Sequence, residues 1–266
     1  MRRFLLIGLW LLSPSGMAAS QPDPFPQVAD AYLVEVNDAV IWNKQAATHF
    51  PHASLTKLMT ALLALERNRL EEVASVSPAA TLETGTRLNL KANEHFRVRD
   101  LLTATLLHSA NDACHALAAH LAGSETAFVK QMNSRAQQLG LSGTHFQNAC
   151  GHDAPGHYST ARDLARLAHE LLKHPQVLPI TSQAGATMTS LEGTQYKISN
   201  KNALIGRYDG ALGLKTGYTD NAGSCLVAYA KRREHEVLLV MLHGTDRWWD
   251  AADILDIAFD RARLTH

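Results

Sequence analysis

The sequence predicts a mixed α/β fold, an antiparallel β-sheet flanked by helices with a helical lobe inserted into it. Three observations carry this reading. Segments rich in Val, Ile and aromatic residues stand near both ends of the chain, apolar residues recur at three- and four-residue intervals through its middle, and an amphipathic segment closes it.

Ala31–Val36 and Ala39–Asn43 read as the first strand pair, joined by Asn37-Asp38, a two-residue combination suited to a hairpin turn. From Leu55 to Asn68 the residues Leu55, Leu58, Met59, Leu62, Leu63 and Leu65 repeat with helical spacing, and a helix apolar on all sides is a buried one. The stretch from Glu71 to Arg97 is mixed and turn-rich. Asp100–Leu107 and Asn111–Leu121 follow as two helices, broken at residues 108–110. Ser124–Leu139 and Thr160–Leu172 are further helices, the second opened by Thr160-x-x-Asp163, which resembles a capping box. Thr187–Lys197, Gly223–Ala230 and Glu236–His243 return to strand composition, and Trp249–Arg263 is the closing helix. No repeat, low-complexity tract or heptad pattern is present.

The first twenty residues read as a secretory signal peptide: Arg2 and Arg3, an apolar run from Phe4 to Leu12, then small residues up to Ser20. Pro14 and Gly16 end the apolar run short of the roughly 20 residues needed to cross a bilayer. Residues 21–28 are a proline-bearing linker, and 29–266 are expected to form one catalytic domain without a stable membrane anchor. Export implies the periplasm or cell envelope. The 25 basic and 25 acidic residues cancel, which argues against a nucleic-acid partner. Cys114, Cys150 and Cys225 allow at most one internal bridge, which the sequence does not identify; small buried thiols are the plainer expectation.

Chemistry concentrates in three short motifs that occur in order, each once: Ser54-Leu55-Thr56-Lys57, Ser109-Ala110-Asn111 and Lys215-Thr216-Gly217. Ser54 at the mouth of a helix and Lys57 one turn later share a face, so the amine can serve as base for the hydroxyl. That role requires a depressed lysine pKa, which burial in a Leu-rich helix and a nearby Lys215 would promote. Ser109, in the break between two helices, is placed to relay a proton to a leaving amine, and Asn111 to hold Lys57 and a substrate amide. At the start of a strand, Gly217 would let a peptide backbone approach, Thr216 would bond a carboxylate and Lys215 would supply positive charge. The backbone N–H groups of Ser54 and Tyr218 are the candidate oxyanion donors.

With their flanks these motifs resemble the low-molecular-mass penicillin-binding proteins, the serine-type D-Ala-D-Ala carboxypeptidases of peptidase family S11. The similarity runs from about Ala31 to Ala258. It includes Ala53-Ser54-Leu55-Thr56-Lys57-Leu58-Met59-Thr60, Asn111-Asp112-Ala113-Cys114, Gly156-His157-Tyr158-Ser159-Thr160-Ala161, Asn200-Lys201-Asn202-Ala203-Leu204 and Lys215-Thr216-Gly217-Tyr218-Thr219. The resemblance implies the DD-peptidase and β-lactamase fold, with the site in the cleft between sheet and helical lobe. It also implies a peptidoglycan stem peptide ending in D-Ala-D-Ala as substrate, β-lactams as covalent inhibitors and no cofactor. Arg247 sits where the family keeps an arginine that helps hold the substrate carboxylate. One loop departs: Asn148-Ala149-Cys150-Gly151-His152-Asp153 stands where the family usually reads Asn-Pro-His-Gly-Leu-Asp.

Other readings are weaker. Cys150, His152, Asp153 and His157 are close in sequence but fit no zinc template, so no metal is expected. His108 and His115 read as ordinary polar or pocket-edge residues, and Trp248 and Trp249 as packing for the last helix. A class A β-lactamase would carry a Glu with Leu-Asn after the Ser-x-Asn motif, and none occurs between Asn111 and Lys215. A DD-endopeptidase would use the same residues, and a silent binding module would have no need of Ser54, Lys57, Ser109 and Lys215 together.

Overall fold

The computed structural model describes residues 23–264; the signal-peptide reading of residues 1–20 lies outside them. The chain begins with the expected hairpin, β1 (Ala29–Val36) and β2 (Ala39–Lys44), turned by Asn37 and Asp38, both at positive φ as such a turn requires. A 3-10 turn over Ala53–Thr56 leads into α1 (Lys57–Glu66), which is buried along most of its length. The mixed segment resolves into β3 (Val73–Ser75), the short α2 (Pro78–Thr81) and β4 (His95–Arg97). The helical lobe continues through α3 (Val98–Leu107), α4 (Asn111–Ala122), α5 (Glu125–Gln138) and α6 (Ala161–Leu172). Thr160 caps α6, its hydroxyl accepting from Asp163 N at 3.0 Å.

After α7 (Val177–Thr181) the strand expected over Thr187–Lys197 proves to be a hairpin, β5 (Gly185–Thr189) and β6 (Gln195–Ser199). The chain reverses at Ser190–Thr194, where Gly193 adopts φ +92° and its N–H donates to Ser190 O. β7 (Ala211–Thr219), β8 (Gly223–Arg232), β9 (His235–Gly244) and α8 (Arg247–Leu264) complete the chain.

The main sheet has the order β2-β1-β9-β8-β7, every pair antiparallel. Its strands read as nearly continuous apolar runs because both faces are covered. On β9, Leu238, Val240 and Leu242 enter the core shared with the helical lobe, while Val237, Leu239 and Met241 pack on the other side. There they meet Ala251, Ile254, Leu255, Ala258, Phe259 and Ala262, a stripe of α8 with helical spacing. β7 is thus left as the sheet edge that meets the 3-10 turn bearing Ser54. Among the described residues no helix is long and apolar enough to cross a membrane.

Candidate active site

Ser54 is half-buried in the 3-10 turn, and Lys57, the first residue of α1, is completely buried. The Lys57 amine has three partners: Ser54 Oγ at 2.9 Å, Asn111 Oδ1 at 2.7 Å and the carbonyl oxygen of Cys150. Burial brings the lysine pKa from its ordinary 10.5 down to about 7, with the charge of Glu83 acting the other way. The expected repulsion between the two lysines shows at Lys215. Lys215 is itself buried and is pushed well below the ordinary lysine range, first by burial and then by repulsion from Lys57 and Arg247.

Asn111 opens α4 immediately after the break at residues 108–110. Ser109 there is buried with φ 61°, a left-handed conformation that costs a serine free energy and fixes the direction of the turn. The Asn111 amide is oriented from both ends: Oδ1 accepts from Lys57, and Nδ2 donates to Thr84 O at 2.6 Å. The loop carrying Thr84 is held in turn by the buried Asp112 carboxylate, which accepts from the backbone N–H groups of Leu88, Leu90 and Ala113.

Lys215-Thr216-Gly217 lies in the middle of β7, not at the start of a strand, with Lys215 opposite Val227 and Gly217 opposite Cys225 on β8. A side chain on Gly217 would come within 3.1 Å of Ser54 N and of His52 O, so glycine is what lets the strand run alongside the turn. Lys215 Nζ donates to Thr216 O at 2.8 Å and Thr216 is buried, whereas Tyr218 is largely exposed. Arg247 Nη1 donates to Gly217 O at 2.6 Å, and the guanidinium lies 4.6 Å from the Trp248 ring. Trp248 thus packs as expected; Trp249, 73% exposed, does not.

The loop that departs from the family pattern supplies what sequence reasoning missed. Cys114 and Cys150 form a disulfide, against the expectation of separate thiols, and Cys225 is the free, buried cysteine. The bridge ties α4, one turn after Asn111, to the loop whose Cys150 carbonyl meets Lys57. Thr60 Oγ1 adds a bond to Ala149 O at 2.6 Å. Gly151, at φ +90°, passes so close to the 3-10 turn that a Cβ would lie 2.1 Å from Ala53 O. Cysteine spacing alone carried no signal for this carbonyl, because the group that acts belongs to the backbone.

Cys150, His152, Asp153 and His157 do not converge. Asp153 accepts from Thr219 Oγ1 at 2.8 Å, His152 turns to Glu83, and His157 lies beneath the 3-10 turn. Gln147 N donates to His157 Nδ1, so in the neutral ring Nε2 carries the proton and donates to Thr56 Oγ1 at 2.8 Å. Nor is His115 an isolated polar residue, since its Nδ1 sits 2.7 Å from Glu83 Oε1.

The family model for D-alanyl-D-alanine carboxypeptidases, Peptidase S11, matches residues 17–246. This chain belongs to that family. It is accordingly a serine-type D-Ala-D-Ala carboxypeptidase. The D-alanyl-D-alanine carboxypeptidase DacF of Bacillus subtilis is 34% identical over 97% of this chain and 70% of that relative. Among solved structures, the D-alanyl-D-alanine carboxypeptidase of Mycobacterium tuberculosis superposes with a TM-score of 0.85 at 31% identity, covering 91% of this chain and 95% of the other. Penicillin-binding protein D2 of Listeria monocytogenes, solved with ampicillin bound, gives 0.78 at 34% identity over 90% of this carboxypeptidase and 100% of its own chain. These matches carry the DD-peptidase fold across the main sheet and the helical lobe together.

Proposed function

We propose that this carboxypeptidase is exported to the periplasm or cell envelope and removes the terminal D-Ala from peptidoglycan stem peptides through an acyl-enzyme on Ser54. In the same reading, β-lactams acylate Ser54 Oγ. The observation that carries it is the partner set of Lys57. Two of its three partners, Asn111 Oδ1 and Cys150 O, are carbonyl oxygens that can only accept. A neutral amine has two N–H bonds and one lone pair. Its hydrogens therefore go to the two carbonyls, and the lone pair is left facing the Ser54 hydroxyl.

Ser54 Oγ gives its proton to Lys57 as it bonds to the carbonyl carbon of the penultimate D-Ala. The developing oxyanion lies between the N–H groups of Ser54 and Tyr218. The tetrahedral intermediate collapses by breaking the C–N bond, and the leaving nitrogen takes the proton from Lys57 by way of the Ser109 hydroxyl. Water then attacks the ester, again giving a proton to Lys57, which returns it to Ser54. The substrate peptide lies along β7, its terminal carboxylate against Thr216 and Lys215. Meeting that anion restores to Lys215 the charge that burial disfavours. Arg247, bonded to Gly217 O, adds positive charge and fixes the strand.

The test is intact-mass spectrometry of the protein after addition of penicillin, with a Ser54→Ala variant alongside, followed by measurement of free D-Ala released from a D-Ala-D-Ala peptide. A lasting adduct on the parent, none on the variant, and D-Ala release are expected. Cleavage confined to cross-linked dimers would replace the carboxypeptidase reading with an endopeptidase one, and absence of any adduct would remove Ser54 as nucleophile.

A further inference from the structure

Beside the active site, four side chains from four separate segments turn toward one another. His152 Nε2 is 2.6 Å from Glu83 Oε2, and His115 Nδ1 is 2.7 Å from Glu83 Oε1. Glu125 brings Oε2 to 3.9 Å from the same His115 nitrogen, while its Oε1 is held by the N–H of Ala149 at 2.9 Å. One donor atom each from Glu83, His115 and Glu125 lies within 4.8 Å of the other two. The group is sheltered but reachable, with side-chain exposures of 13% for Glu83, 15% for His115, 28% for Glu125 and 36% for His152.

We infer that Glu83, His115 and Glu125 form a binding site for a divalent transition-metal ion, zinc first, with His152 bonded to the second oxygen of Glu83 as an outer partner. One imidazole nitrogen and two carboxylate oxygens make a three-donor set that leaves the fourth position of a tetrahedral zinc to water, and the imidazole disfavours magnesium and calcium. Donors at about 2.1 Å from a tetrahedral ion stand roughly 3.4 Å apart, so the observed spacings of 2.7 and 3.9 Å around His115 bracket what an ion would impose. The Ala149 N–H bond to Glu125 is an outer contact of the kind that aims a ligand carboxylate.

The departing loop supports the same assignment. Cys150 of that loop is held in the disulfide, and His152 reaches Glu83. An ion here would clamp α4, the start of α5 and the loop whose Cys150 carbonyl receives Lys57. The site would thus brace the catalytic lysine's surroundings without touching substrate.

The experiment uses the purified chain, treated with chelator, passed through gel filtration and titrated with zinc chloride by calorimetry. Metal content is then measured after dialysis, and X-ray absorption reads the coordination shell. One zinc per chain is expected, with a shell of nitrogen and oxygen donors only. Glu83→Gln and His115→Gln should each weaken binding at least tenfold, while both variants melt like the metal-free parent. Zinc should raise the parent's unfolding midpoint, and magnesium should not. Failure of the parent to bind one zinc, or equal binding by both variants, would overturn the assignment, the latter by placing the ion elsewhere among the fourteen histidines. None of these readouts depends on carboxypeptidase activity.

Discussion

Titrating acylation against pH tests the role given to Lys57. Burial holds its pKa at about 7, and only the neutral amine can take the Ser54 proton. The neutral fraction is therefore about 10% near pH 6 and about 90% near pH 8, so kcat/KM should rise about ninefold over those two units and then level. The histidines near Ser54 do not produce such a limb, because burial puts His157 at about 4 and His52 well below 6.5. At higher pH a second limb should bring the rate down. Lys215 must be charged to hold a carboxylate, and burial with repulsion from Lys57 places its loss of charge below lysine's ordinary value. Lys57 and Lys215 repel each other, so the midpoints belong to the pair. The assay is the second-order rate of covalent modification by a β-lactam, read by intact mass at constant ionic strength. A flat profile between about pH 6 and about pH 8, or a rising midpoint near the ordinary lysine value of 10.5, would refute Lys57 as a base tuned by burial.

Reducing the Cys114–Cys150 bridge, or replacing both residues by serine, should lower stability by about 2–4 kcal/mol in denaturant melts, given a closed loop of 36 residues. It should also slow acylation, since the Cys150 carbonyl then loses its tether; in the oxidised parent a thiol count should find Cys225 alone, and only after unfolding. Asp112→Ala leaves the N–H groups of Leu88 and Leu90 in the loop, and of Ala113 in α4, without their acceptor and should cost about 1–3 kcal/mol, with an acylation rate that falls as Asn111 loses its support. His157 has a folded pKa of about 4 against 6.5, so the stability it contributes is complete above pH 6.5 and is lost as pH falls from there toward 4. That loss amounts to about 3 kcal/mol, and a His157→Gln variant should show a flatter dependence of melting temperature on pH across this window.

What the sequence made legible follows from how each feature is encoded. The Ser54 to Lys57 spacing, the break before Asn111 and the Thr160 cap are local, set by residues a turn apart, and each could be read directly. Strand composition likewise located β8 and β9, while β7 was marked only by the Lys215-Thr216-Gly217 motif, and their order with β1 is a property of pairing across the sheet. The strand expected over Thr187–Lys197 is a hairpin because the chain reverses at residues 190–194, where Gly193 takes a positive φ. Strand position also misled at Lys215, since a motif with glycine at its end looks like a beginning.

The larger gap concerns groups that act through the backbone or across long separations. The carbonyl that fixes the proton on Lys57 is that of Cys150, 93 residues away, and no side-chain pattern could reveal it. Burial of Lys57 was legible from the leucines around it, but the opposing charge of Glu83 was not, because Glu83 arrives from a different part of the chain. The depressed pKa is thus a tertiary property resting on a local motif. The serine and lysine supply a possible nucleophile and base, and the carbonyls of Asn111 and Cys150 decide which way the proton moves. If those two carbonyls orient the amine, then removing one of them should harm acylation more than it harms penicillin recognition, because the proposed pose sets the drug's carboxylate on β7, apart from Lys57. Asn111→Ala is therefore expected to reduce the acylation step with little change in the initial binding constant, and an equal loss in both would mean that Asn111 acts mainly on the ligand.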